Sequence, residues 1–182
     1  MIQDQEYKNI DQVSILIFQI GWEQFVINLV DVKEIIQAGQ IRKLPKSLEY
    51  IDGIYNYRGE IIHIVNLKKK LQLNEYMLYR SKKSSKEEEE ENYSNTKKYI
   101  IILKVDNNLV GFYVDRIINI DHIGVNEITE LSPIFQTSVA MNYIKGVINF
   151  KERPRIMLDL GRILIEVEEF KVQQGLSSLK EI

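Results

Sequence analysis

The sequence contains no cysteine. Its absence excludes disulfides, thiolate catalysis and cysteine-ligated zinc, and it is consistent with a reducing compartment. Histidine is also scarce: His63 and His122 lie one in each half of the chain, without ligand-type spacing to each other or to carboxylates. We therefore expect neither to be a ligand, His63 lying in a strand and His122 in a loop that follows one.

Long apolar runs are missing as well. The longest, "ILIF" and "YIIIL", fall far short of the roughly 20 residues that a membrane helix needs. The N-terminal "MIQDQEYKNIDQ" has no apolar core, so no signal peptide is expected. The net charge of −2 provides no basic field for nucleic acid. Together these features favour a soluble, cytoplasmic protein.

Motifs for catalysis are absent too. There is no Gly-x-Ser-x-Gly elbow, P-loop or Ser-His-Asp ordering among the 182 residues. Five consecutive glutamates, 87–91, lie in a charged stretch, where a solvated loop is favoured over a metal site. We therefore predict no enzyme activity, no cofactor and no metal.

What the chain does contain is a series of short β-branched and aromatic runs separated by turn residues. Residues 13–20 and 25–30 predict a hairpin across the four residues between them, among which Trp22 is expected to be a packed turn aromatic. "YIIILKV" and "LVGFYV" predict a second hairpin across 106–108. The two hairpins align at an offset of 84, which places Asp31 on Asp115.

Helical signals are few and short. "VDVKEIIQ", residues 30–37, follows the first hairpin. "NLKKKL" begins with Asn66, which is expected to act as an N-cap. A third signal is the tail from Ile165, with a stop expected at Gly175. The sequence is therefore expected to be mainly β.

One segment of the sequence is repeated. Residues 50–71 and 143–164 align without a gap at an offset of 93, with six identities in 22 positions. Gly53 corresponds to Gly146 and Asn56 to Asn149. With the hairpin before each copy, this repeat predicts two similar β units that superpose.

The two copies differ at one point. Arg58-Gly59 in the first copy is replaced by Lys151-Glu152 in the second, although the turn-shaping Gly and Asn are kept. Gly59 supplies a turn, so Arg58 is expected at a hairpin tip with its guanidinium projecting. From composition alone a merely solvated arginine is equally compatible, but loss from one copy favours a functional site in one half.

Several of these segments resemble the CheW domain, the adaptor of bacterial and archaeal chemotaxis. "FVINLVDVKEIIQ", "RKLP" and "YIDGIYNYRGEIIHIVNLKKKL" are similar to the family pattern of Val-x-Glu-Ile, a strand ending in Pro, and Gly-x-x-Asn-x-Arg-Gly before an apolar strand. "LVGFYVD" and "YIKGVINF…IMLDL" continue it in the second half. The resemblance covers nearly all of the chain from about Val13 to Ile165, apart from the charged segment.

The resemblance implies a mainly β fold of two similar five-stranded, SH3-like β-barrel subdomains packed around a hydrophobic groove, with few short helices. The expected division is a first subdomain at 13–75, a charged flexible insert at 76–98, a second subdomain at 99–165 and a C-terminal tail at 166–182, with strand exchange between subdomains left open. The polar part of the insert, Arg80 to Lys98, is longer and more charged than is usual in the family and is expected to be dispensable for folding. Pro154, at the entry of a strand, is a second departure.

The resemblance also implies a function without catalysis. CheW-like proteins couple the cytoplasmic tips of methyl-accepting chemoreceptors to the regulatory domain of the histidine kinase CheA, and further CheW copies join them in array rings at the inner face of the membrane. Receptor helices dock in the groove between the barrels. Carried onto this sequence, the receptor side consists of Val32, Glu34, Gly53, Asn56, Arg58, Gly59 and Gly111. The alternative is a small β-barrel module for another ligand or partner.

Overall fold

The computed structural model describes residues 11–45, 47–73, 97–105, 108–131, 141–150, 153–163 and 165. These residues form a mainly β structure of eleven strands and few short helices. The strands are β1 (Gln12–Ile20), β2 (Glu23–Asn28), β3 (Val32–Gln37), β4 (Ile51–Tyr57), β5 (Glu60–Asn66), β6 (Tyr99–Val105), β7 (Asn108–Val114), β8 (Arg116–Gly124), β9 (Ile128–Thr129), β10 (Ile144–Asn149) and β11 (Pro154–Leu158). One short helix, α1 (Leu67–Lys70), follows β5.

The strands form two sheets whose order repeats. The five-stranded sheet has the order β3-β6-β7-β5-β4, and the six-stranded sheet has the order β8-β1-β2-β11-β10-β9. The strands β3, β6, β7, β5 and β4 of the first sheet correspond, in this order, to β8, β1, β2, β11 and β10 of the second. Only the two-residue strand β9 has no counterpart among the described strands. The predicted mainly β fold of two similar units is confirmed, with one additional strand in the second.

Each sheet combines strands from both halves of the chain. The β1–β2 hairpin pairs with β8 and β11, while the β6–β7 hairpin pairs with β3 and β5. The two copies of the repeat have therefore exchanged their N-terminal hairpins. Each sheet therefore contains strands from both 13–75 and 99–165.

The register of the strands defines the repeat residue by residue. Gly53 pairs with Ile64 in the first copy, and Gly146 pairs with Met157 in the second, 93 residues on in both strands. This confirms the predicted equivalence of Gly53 and Gly146.

The equivalence of the N-terminal hairpins needs a correction of one residue. Ile15 pairs with Asn28, and Ile100 pairs with Tyr113, which is an offset of 85 and not 84. Both hairpins close with the same spacing, because Ile20 pairs with Glu23 and Val105 pairs with Asn108, so Glu23 corresponds to Asn108. Trp22 lies in the turn as expected, but it is exposed and not a buried turn aromatic. Asp31 and Asp115 are not equivalent.

The central strands are buried on both faces, which explains their unbroken apolar runs. In β6, Ile101 and Leu103 belong to a large core shared by the two sheets, while Ile100 and Ile102 belong to a core on the other face of the five-stranded sheet. In β1, Leu16 and Phe18 face the shared core, while Ile15 and Ile17 belong to a separate core of the six-stranded sheet. The fold thus has three apolar layers, one shared by the two sheets and one on the other face of each sheet.

The helix predictions were right for one segment and wrong for another. Asn66 caps α1, its side-chain Oδ1 accepting a hydrogen bond from Lys69 N at 3.1 Å, as predicted. The segment 30–37 is not a helix, because Val32–Gln37 is strand β3, preceded by a single 3₁₀ turn. Its β-branched residues pair with β6, and this tertiary pairing overrides local helical periodicity. Residues 160–163 and 165 are helical, and the rest of the predicted tail helix lies outside the described residues.

Candidate functional site

The predicted site is centred on the tip of the β4–β5 hairpin. Arg58 and Gly59 form its two-residue turn, and both have positive φ angles, 52° and 89°. Two-residue hairpin turns with left-handed residues match the twist of the flanking strands, and glycine adopts this conformation at least cost. The side chain of Asn56 stabilises the turn by accepting a hydrogen bond from Gly59 N at 2.8 Å. Arg58 consequently lies at the tip, as predicted.

Glu34 reaches this tip from the other edge strand of the same sheet. It lies in β3, directly after an irregularity in the β3–β6 register between Val32 and Glu34. Arg58 Nη2 donates a hydrogen bond to Glu34 Oε1 at 3.0 Å, and the two side chains are 73% and 31% exposed. An arginine expected to project freely is thus held in an ion pair while most of its surface stays accessible.

Tyr57 completes the site, although the sequence analysis did not select it. Its hydroxyl donates a hydrogen bond to Glu34 Oε2, and this bond is the main cause that raises the pKa of Tyr57 above its usual value. The guanidinium of Arg58 lies over the Tyr57 ring at 5.3 Å from its centroid, and the ammonium of Lys33 lies at 5.5 Å from the same centroid. Both distances fall within the range of cation–π attraction.

This constellation occurs in one copy of the repeat only. At the offset of 93, Phe150 stands at the position of Tyr57 and Lys151 at that of Arg58. At the offset of 85, Asn119 stands at the position of Glu34. The strand pairing agrees, because Asn119 pairs with Ile17 and Glu34 pairs with Ile102, the residue equivalent to Ile17. The second copy therefore lacks the hydroxyl, the carboxylate and the guanidinium of the first, whereas the β10–β11 pairing matches that of β4–β5.

The other three predicted residues lie around this site without forming its polar surface. Val32 is half-buried and packs against the shared core. Gly53 is buried with φ at 147°, and a Cβ there would lie 2.1 Å from the backbone oxygen of Arg42. Gly111 is buried in β7, where a Cβ would lie 2.6 Å from Ile64 Cδ1. The structure therefore brings Glu34, Asn56, Arg58 and Gly59 together at the surface, with the other three as packing positions.

The two histidines both lie in strands. His122 lies in strand β8, and not in a loop as predicted, with its Nδ1 3.0 Å from Ser14 Oγ on β1. His63 lies half-buried in β5, as predicted. Among the residues that the structure describes, no group of three or more His, Cys, Asp or Glu side chains is arranged to hold a metal. No helix within the described ranges is long and apolar enough to cross a bilayer.

An open cleft of about 540 Å³ lies at the six-stranded sheet, between the turn of the first hairpin and the end of the β10–β11 hairpin. It is lined by Trp22, Glu23, Gln24, Phe150, Arg153, Pro154 and Arg155. Arg155 donates to Gln24 Oε1 at 2.8 Å, and its guanidinium stacks on Phe150 at 4.0 Å. This basic and aromatic cleft differs in composition from the Arg58 site.

Fold and site together define the class of this protein: a mainly β domain made of two copies of one unit, with an ordered polar surface site on one copy. The family model of the CheW-like domain matches residues 14–168. The chain belongs to the CheW-like domain family.

Relatives agree with this assignment. The chain is 29% identical over 160 residues to the chemotaxis protein CheW of Treponema pallidum (strain Nichols), covering 88% of this chain and 86% of that protein. It is 27% identical over 166 residues to chemotaxis protein CheW of Thermotoga maritima, covering 90% and 93%. The crystal structure of the scaffolding protein TtCheW from Thermoanaerobacter tengcongensis has the same fold, with a TM-score of 0.66, 24% identity and coverage of 85% and 88%. The family is one of chemotaxis scaffold proteins, which are in general not enzymes.

Proposed function

We propose that this chain couples the cytoplasmic tips of methyl-accepting chemoreceptors to the regulatory domain of the histidine kinase CheA, as an adaptor in signalling arrays at the inner face of the membrane. Membership of a chemotaxis scaffold family supports the proposal, and the single observation that carries it is the Arg58–Glu34 pair at an exposed hairpin tip. An ordered, accessible arginine is a typical hot-spot residue of protein interfaces.

The receptor is proposed to contact the polar surface formed by Glu34, Asn56, Arg58 and Gly59. Val32, Gly53 and Gly111 are proposed to act indirectly, because they fix the backbone of the strands that present this surface. CheA and further copies of CheW-like proteins are proposed to bind elsewhere, so that receptor and kinase are held at the same time.

The test is a reconstitution with purified components. The full chain is titrated with a soluble receptor-tip fragment and, separately, with the regulatory domain of CheA, and binding is followed by calorimetry. Phosphorylation of CheA is then measured with receptor and kinase in the presence and absence of the chain. Binding to both partners and a kinase activity that depends on the chain are expected. Absence of binding to the receptor tip at high micromolar concentration would contradict the proposal.

A second candidate is a binding module for another ligand, which the cleft at Trp22, Phe150 and Arg153 favours. A small anionic or aromatic ligand would suit its composition. Thermal-shift screening with small anionic and aromatic compounds would detect such a ligand. Stabilisation of the wild type, lost in Arg153→Ala but kept in Arg58→Ala, would favour this function over the adaptor.

A further inference from the structure

Tyr57 joins the core of the five-stranded sheet to its surface site. The residue is only 5% exposed and belongs to the apolar core of that sheet, together with Ile62 and Ile64. Its ring is therefore held firmly, whereas its hydroxyl reaches the carboxylate of Glu34. A buried aromatic with a polar end is well suited to fix the position of a surface group.

Both oxygens of the Glu34 carboxylate are engaged from the same hairpin. Tyr57 donates to Oε2, and Arg58 donates to Oε1 at 3.0 Å. Each carboxylate oxygen thus has its own donor, and the donor to Oε2 is a buried tyrosine. The face of the same ring carries the Arg58 guanidinium at 5.3 Å, so that Tyr57 restrains the arginine through two separate contacts.

We propose that Tyr57 is a positioning residue that holds Arg58 in its binding conformation before the receptor arrives. Its hydroxyl fixes Glu34, Glu34 fixes one edge of the guanidinium, and the remaining N–H groups of Arg58 stay available to an acceptor on the partner. Because the side chain is ordered in advance, less rotamer entropy is lost on association. The inference rests on the proposed function for the identity of the partner, but not for the ordering of Arg58.

The repeat supplies the variant that isolates the hydroxyl. Phe150 occupies the position of Tyr57 in the second copy, where Asn119 replaces the carboxylate. Tyr57→Phe therefore installs a residue that this backbone already accepts in its other copy, and it keeps the ring beneath the guanidinium. Tyr55→Phe is the matched control, because Tyr55 packs in the same core two residues earlier in β4.

The first measurement uses the free protein and needs no partner. The order parameter of the Arg58 Nε–H group is measured by NMR relaxation in the wild type and both variants. A clear decrease in Tyr57→Phe, with no change in Tyr55→Phe, is expected if the hydroxyl positions the arginine. An unchanged Arg58 order parameter in Tyr57→Phe would overturn the proposal.

The second measurement is affinity for the receptor-tip fragment. Tyr57→Phe is expected to weaken binding about two- to tenfold, which corresponds to the loss of one pre-ordered side chain. In a protein that already carries Glu34→Gln, Tyr57→Phe should weaken receptor-tip binding much less, since Tyr57 and Glu34 act through one contact. Equal effects in both backgrounds would contradict the positioning role.

The two measurements separate the two proposals. If the wild type does not bind the receptor tip, the proposed function fails, while the NMR result still decides the role of Tyr57. If Tyr57→Phe does not fold, the order parameter of Arg58 is measured in Glu34→Gln instead. Loss of Arg58 order in that variant supports the positioning through Glu34, and retention of order refutes it.

Discussion

Gly53 and Gly146 are equivalent glycines, and each lies directly under a backbone segment that crosses its hairpin. A Cβ on Gly53 would lie 2.1 Å from the backbone oxygen of Arg42, which forms an isolated bridge to Ile54. A Cβ on Gly146 would lie 2.9 Å from the backbone oxygen of Thr129 in β9. In the first copy, the chain after β3 passes over Gly53 and pairs with β4. In the second copy, the chain after β8 passes over Gly146 and pairs with β10.

We predict that Gly53→Ala destabilises the protein strongly, by roughly 2–4 kcal/mol, because overpacking against backbone adds to the strain of its φ of 147°. Gly146→Ala should cost less, since its φ is not in the left-handed region and its nearest contact is the Ile128 side chain. Urea denaturation of both variants measures the difference. Equal losses would mean that the left-handed φ contributes little.

Arg58→Ala is expected to leave the fold intact and to weaken receptor-dependent kinase activation severely. The side chain is 73% exposed, and surface ion pairs contribute only about 0–1 kcal/mol to stability. An interface arginine can cost on the order of 2 kcal/mol of binding when truncated. Thermal melting and kinase assays in reconstituted receptor complexes measure the two effects.

Lys151→Ala is the matched control for that experiment, since it changes the equivalent position of the second copy. It should affect kinase activation much less than Arg58→Ala. If Arg58→Ala unfolds the protein, the arginine is a scaffold residue. If both variants activate the kinase normally, the receptor site lies elsewhere on the chain.

The hydrogen bond between Tyr57 and Glu34 predicts a specific pH dependence. The pKa of Tyr57 is raised in the folded state, chiefly by this bond, so the folded protein binds the phenolic proton more tightly than the unfolded chain does. The stabilisation is therefore fully present below the unfolded pKa of about 10 and is lost as the pH rises through the folded pKa.

The difference in unfolding free energy between wild type and Tyr57→Phe should accordingly stay constant from pH 7 to 9 and shrink above about pH 10. Urea denaturation at a series of pH values measures this difference. A difference that already falls between pH 7 and 9 would assign the dependence to another group.

Asp115 is predicted to be a structural residue that fixes the first hairpin turn. Its side chain accepts hydrogen bonds from Gly21 N and from Lys98 Nζ, the latter at 2.7 Å, and it is only 16% exposed. Asp115→Ala should cost about 1–3 kcal/mol, because two partly buried hydrogen bonds to its carboxylate are lost. Lys69→Met, which breaks a more exposed pair with Asp52, should cost less than 1 kcal/mol. Similar losses in the two variants would argue against a role for burial.

Residues 80–96, which lie outside the described ranges, should be dispensable for folding. The polar composition offers little apolar area to bury, and changing loop length costs only roughly 0.6 kcal/mol per doubling. Lys98 has to be kept, since it pairs with Asp115 and its carbonyl accepts a hydrogen bond from Ala38 N. Replacement of 80–96 by a short Gly/Ser linker should leave the thermal midpoint within a few degrees, and a cooperative loss of the fold would show that the segment packs.

Local patterns in the sequence predicted most of the strands, both N-terminal hairpins and the N-cap of α1. They also predicted the register of the repeat around Gly53 and Gly146, because an alignment with identical turn residues translates directly into equivalent pairing. The prediction failed where local and tertiary preferences disagree: residues 32–37 have helical periodicity but pair as β3 with a strand from the other half.

The sequence identified Arg58 and Glu34 but not Tyr57. A tyrosine within an apolar strand is normally a core residue, and no local pattern indicates that its hydroxyl meets a carboxylate 23 residues away. The comparison of copies offered a signal that was not used, since Tyr57 and Glu34 become Phe150 and Asn119 together. The hairpin exchange also has no local signature, because either pairing buries the same apolar faces.

The exchanged hairpins determine when this protein can fold during synthesis. The first hairpin, complete at Asn28, has to wait for β8 and for β11, which ends at Leu158, before its sheet is filled. Until then, β1 and β2 have two open edges, which are prone to pair with other chains. Formation of the six-stranded sheet therefore depends on contacts between distant residues and is expected to be slow. All strands of the five-stranded sheet are present once the chain reaches Val114, whereas the six-stranded sheet lacks β11 until Leu158 has been synthesised.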